Sequence, residues 1–245
     1  MNTIAALGWE LRRILLTRTY LYSLLLIMLI SQNLLGRIII NGVYGAAPYS
    51  QVSYAQFLTM MNAMLLTVLM LWCAGVFSEK ERAVRRIVLA TPLTNAGYFG
   101  LKAAAIAAAF LLTAGLMVAG SFLFYVRQFG FHAFQEYLNP LAVFLFPSAI
   151  FILGLSLAAG QLHPRLPYGI VPVVFFLGVL NLRSLPQWLD ISGNSYLFHY
   201  PSILMRTLRT GEMVYYLTTD FLVTRVVLVV AGAALLFWAA RRRPC

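Results

Sequence analysis

Ser78-Glu-Lys-Glu-Arg-Ala-Val-Arg-Arg-Ile-Val-Leu-Ala-Thr-Pro92 separates two long apolar runs and holds the densest charge in the chain. Ser78 and Glu81 stand at capping-box spacing, the hydroxyl and the carboxylate each able to satisfy a free amide of a helix start. Glu79 and Glu81 fall in the first turn and Arg85 and Arg86 later, which complements the helix dipole. Glu81 and Arg85 are four apart and can pair along one face. Val84, Ile87 and Val88 form an apolar stripe at helical spacing, and Pro92 ends the helix. The stretch predicts a short amphipathic helix at a membrane surface. A solvated face that binds head groups and only sets topology is the alternative for its charges.

Working outward, the flanking runs decide the class. Of the 245 residues, 61% are hydrophobic and 10% charged, against about 25% charged in a soluble domain. The composition predicts one all-α integral membrane domain over residues 1–245. Six apolar runs, about 19–40, 57–77, 100–126, 140–160, 166–182 and 221–240, approach the roughly 20 residues that cross a bilayer. Pro167 and Pro172 sit in the fifth, the shortest, and Pro147 in the fourth, where a kink is expected. Lys102 opens the third, followed by alanines that let another helix approach closely.

The net charge of +11 flanks apolar runs, so it reads as a topology signal rather than a nucleic-acid surface. Arg37, Arg127, Arg183, Arg206, Arg209 and Arg225 fall on one side. The other 12 of the 18 Lys and Arg fall on the side of both termini, which is expected to be cytoplasmic. The expected location is a cell inner (cytoplasmic) membrane, crossed several times. The start does not read as a cleaved signal peptide.

Ile4, Leu7, Leu11 and Ile14 share one helix face, with Glu10, Arg12 and Arg13 off it, so residues 3–17 predict an interfacial helix, or else a plain tail. In the loop 41–56, Tyr44, Tyr49 and Tyr54 suit the interface. Residues 183–220 interrupt the apolar pattern longest; Pro201 and Gly211 bracket a short helix there. Arg225 is expected to snorkel from the end of the last run, with Asp220 as a possible partner.

The sequence holds no phosphate-binding loop, no H-E-x-x-H and no G-x-S-x-G, so no catalytic residue is assigned. Cys73 and Cys245 form no disulfide framework, and no metal site is expected. All seven acids lie in loops or at run ends, which weighs against ion coupling. Gln32, Asn33 and Asn62 interrupt apolar runs, either lining a pathway or bonding helix to helix.

Glu79-x-Glu81-Arg82, then Arg85-Arg86-Ile-Val-Leu-Ala-Thr-Pro92-Leu, then Tyr98 and Lys102 resemble the membrane subunits of type-2 ABC transporters. The segment from Tyr200-Pro201 to Gly211 is similar to that family's outer segment. The chain departs in having Ala83-Val84 where the family often has Gly-Thr. The resemblance implies a six-span subunit of an ATP-driven exporter that works as a homo- or heterodimer by alternating access. Residues 78–92 would be its coupling helix and 3–17 its connecting helix. Glu79, Glu81, Arg82, Arg85, Arg86, Ile87 and Leu89 would contact a separate ATPase subunit, which would hold ATP and Mg. This chain itself would carry no cofactor and no enzymatic activity. Two other classes compete: a non-transporting scaffold that passes ATPase-driven motion to an extracytoplasmic partner, and a lipid-modifying membrane enzyme, which would need clustered acids or histidines.

Overall fold

The computed structural model describes residues 3–79, 81, 83–84, 94–180, 186, 188–207 and 215–242, and among them the chain is helical with no strand. The helices are α1 (Thr3–Leu15), α2 (Arg18–Arg37), α3 (Gln51–Gly75), α4 (Asn95–Phe129), α5 (Phe146–Leu162), α6 (Leu166–Val179), α7 (Asn194–Phe198), α8 (Tyr200–Thr207) and α9 (Thr219–Arg241). Four of them start on a hydroxyl cap. Thr17, Ser50, Thr94 and Thr218 accept from the N–H groups of Tyr20, Ser53, Gly97 and Phe221, satisfying donors that a helix start leaves unpaired.

Among the described residues, five helical stretches are long and apolar enough to cross a membrane: Arg18–Asn41, Gln51–Gly75, Ala96–Phe129, Phe134–Leu162 and Thr219–Arg241. The chain is therefore built as a multi-pass membrane protein. The fifth expected crossing is not of that length. The apolar run 166–182 forms the 14-residue α6, about 21 Å long at 1.5 Å per residue, short of the ~30 Å hydrocarbon core. Leu180 is already extended.

The helix α3 is the hub and packs against α2, α4, α5 and α6. Its residues are buried on nearly every side, and most of its polar side chains bond inside the bundle. Elsewhere in the bundle α5 packs against α9 and α1 against α4. One end of the bundle carries α1, and the other carries an aromatic cluster. There the ring of Tyr54 stacks on that of Tyr137 at 4.0 Å, and the Tyr137 hydroxyl donates to the Tyr49 carbonyl at 2.7 Å. Tyr54 is thus a core residue rather than an interface residue, because α3 begins at Gln51 and turns it inward. Tyr49 remains exposed.

The helix is irregular just upstream of Pro147, where a kink is expected. A π-helical turn, Leu141–Leu145, precedes α5, and Pro147 sits in the first turn of α5. A π turn frees carbonyls from the regular ladder. The Phe144 carbonyl is taken by Asn62 Nδ2 at 2.9 Å and Ser148 Oγ at 3.0 Å.

The α5–α9 crossing depends on glycine. A Cβ built on Gly232 would lie 2.6 Å from the Ile150 carbonyl oxygen and 2.7 Å from Phe151 Cα. These are backbone atoms and cannot move aside singly. Gly232→Val is expected to force the helices apart and cost about 3 kcal/mol or more, read as a fall in the thermal unfolding midpoint in detergent. Gly115→Ala, with nothing within 4 Å of its built Cβ, serves as the control and should leave the midpoint unchanged or raise it. Equal midpoints for the two variants would refute the close crossing.

Candidate functional site

Lys102 sits two turns into α4 and is only 3% exposed. An ammonium so placed needs partners. Its Nζ lies 2.7 Å from Glu10 Oε2 and 2.9 Å from Glu81 Oε2. Glu10 comes from α1 and Glu81 from the helical start after Ser78. Arg13, one turn beyond Glu10 on α1, pairs with Glu81 and stands 3.8 Å from Glu10. Tyr98, one turn before Lys102, donates its hydroxyl to Glu81 Oε2 at 3.3 Å and sets its ring 5.5 Å from the Lys102 ammonium. Two cations and two anions thus close a neutral network. It joins the N-terminal helix, the start of the 78–92 segment and the end of a spanning-length helix.

The local sequence explains the geometry. Ser78 Oγ accepts the Glu81 N–H at 3.4 Å, which is one half of the expected capping box and fixes where Glu81 starts. Tyr98 and Lys102, four apart, share a face of α4. Glu81 is 9% exposed, so its carboxylate is turned into the bundle. Glu79, by contrast, is exposed and helps line a cleft of about 450 Å³. Across that cleft stand His163 and Arg165, from the α5–α6 turn, and Tyr168, from the first turn of α6. Of the other expected contact residues, Arg82, Arg85, Arg86, Ile87 and Leu89 lie outside the described residues.

Gln32, Asn33 and Asn62 are not brought together. Gln32 is exposed on α2 and reaches the Gly120 carbonyl at 3.4 Å. Asn33 is exposed on the same helix. Asn62 is fully buried in α3 and, besides Phe144, reaches the Ser192 carbonyl at 3.5 Å.

That last contact belongs to a second polar node. Asn62 lies near the middle of α3, so Ser192 brings the 188–200 segment well into the bundle. Irregular backbone at such depth is tolerated where protein buries it. Asp190 is buried, and its carboxylate accepts the N–H groups of Gly193 at 2.9 Å and Tyr196 at 2.8 Å. Asn194 bonds Gln56 on α3 and the Gly178 carbonyl near the end of α6. Arg225 on α9 donates to the carbonyls of Ile191 at 2.7 Å and Asp190 at 2.6 Å. It does not snorkel: it is 3% exposed and lies over the Phe221 ring, while Asp220 is exposed. Two inward carbonyls of the 190–191 turn hold the guanidinium in place.

Sequence reading missed the Glu10–Lys102 pair. The signal was present: Glu10 is the only acid before Glu79, and Lys102 is one of two lysines and stands in an apolar run. The chain matches no family model, no curated protein and no solved structure.

Proposed function

We propose that this chain is the membrane subunit of an ATP-driven exporter of the type-2 ABC class. The observation that supports it best is the four-charge network. It ties the 78–92 segment and α1 to α4, so a force on the segment reaches a spanning-length helix through short ionic contacts. Glu81 is the joint in this reading. Glu79, Arg82, Arg85 and Arg86 offer polar contacts to a separate ATPase subunit, and Ile87 and Leu89 fill its apolar groove. That subunit binds ATP and Mg. Its closure pushes the segment and α1 together and tilts the spans.

Two copies, or two related subunits, would enclose the substrate cavity and open it to alternate sides. Gln32 and Asn33 stand exposed on α2, where a second subunit would cover two carboxamides that lipid cannot satisfy. In the six-crossing layout α6 and the 188–207 segment share the fifth crossing. Both termini and the 78–92 segment then face the cytoplasm, in keeping with the excess of Lys and Arg there.

Reversing Arg85 and Arg86 to glutamate tests the docking role. Recovery of an ATPase with the tagged chain should fall by about tenfold or more, as loss of interfacial charge pairs implies, while membrane insertion persists. Unchanged recovery would remove the docking role.

A further inference from the structure

The α1 helix has two faces of different character. Leu7, Leu11 and Ile14 are half-buried on the bundle side. Trp9 and Leu16 point away from it, 79% and 69% exposed. Arg12 and Arg13 lie between them at steps of three and four residues, so all four share the outer face. They line a shallow groove of about 490 Å³.

The place of this groove along the chain matters as much as its lining. Thr17 caps α2 directly after it, and the stretch from Arg18 is long and apolar enough to span a bilayer. The groove therefore stands where the chain enters the membrane, at head-group depth. Indole rings favour that depth. Guanidinium groups bind phosphate oxygens in a fork geometry, and basic residues near a membrane draw anionic lipid. We propose that the Trp9–Arg12–Arg13–Leu16 groove binds an anionic phospholipid. The phosphate sits on Arg12 and Arg13, and Trp9 and Leu16 lie against the glycerol and upper acyl region. A soluble protein at this face would first have to displace the bilayer.

The site has a built-in consequence. Arg13 also pairs with Glu81, so a bound phosphate competes with that carboxylate for one guanidinium. The inference does not rest on the motor reading; it needs only that α2 spans a bilayer.

The test uses the full chain in nanodiscs of phosphatidylcholine and phosphatidylglycerol at equal mole fractions, with bromine on the acyl chains of one lipid or the other. Tryptophan quenching in the parent, minus that in Trp9→Phe, isolates Trp9. Brominated phosphatidylglycerol should quench this component more strongly than brominated phosphatidylcholine, by up to about fivefold, the enrichment that one arginine's attraction produces. Arg12→Gln should abolish the difference. Equal quenching by both lipids would overturn the anionic site. Absence of Trp9-dependent quenching by either would also overturn it and leave a protein partner for the face.

Discussion

Lys102→Met is expected to destabilise the protein by about 3–5 kcal/mol, the cost of removing one member of a buried ionic group. Methionine fills similar space, so the loss is electrostatic. Glu10 and Glu81 would then face each other with Arg13 alone between them, and Arg13 is the more exposed of the two cations. Adding Glu10→Gln should recover part of the loss, because Arg13 and Glu81 remain as a matched pair. The measurement is the thermal unfolding midpoint of each variant in one detergent. A Lys102→Met protein as stable as the parent would show that the network carries no such energy. Failure of the double variant to improve on the single would point to packing around Lys102 rather than to charge.

The second large effect is expected at the opposite end. Arg225→Leu removes two charged hydrogen bonds to the 190–191 turn, on the order of 3 kcal/mol in sum. Ile191 keeps a donor in Ser148 Oγ at 2.6 Å. The Asp190 carboxylate, still held by two backbone amides, loses the cation bound to its own main chain. The 188–200 segment is therefore expected to open locally before the bundle unfolds. Ser195 is buried, so Ser195→Cys should resist a water-soluble thiol reagent in the parent background and react in Arg225→Leu. Equal protection in both would mean that Asp190 and the asparagine contacts hold the segment without Arg225.

Sequence reading reached some of this and missed the rest for physical reasons. One local signal held within a helical turn. Ser78 does cap Glu81, and five of the six apolar runs lie in helical stretches of spanning length. Partners distant in sequence were invisible: 92 residues separate Glu10 from Lys102, and only the fold decides that α1 lies on α4. Arg225 looked like a snorkelling residue because it stands near a helix end. The carbonyls that capture it come from a segment whose depth no hydropathy pattern records. Hydropathy likewise showed an apolar run over 166–182 but not that its helix stops at Val179. Tyr54 was misplaced by a boundary: once α3 begins at Gln51, its fourth residue points to the core.

The central claim is that the 78–92 segment receives motion from an ATPase encoded elsewhere and passes it through Glu81 and Lys102 to the spans. The most direct measurement is to tag the chain in its own cell, purify it in mild detergent, identify the proteins that accompany it and assay ATP hydrolysis. The account predicts a protein with a phosphate-binding loop in near-stoichiometric amount, with hydrolysis that Lys102→Met uncouples from the membrane subunit. Pure chain with no such protein and no hydrolysis, recovered folded and with lipid alone against the segment, would contradict it.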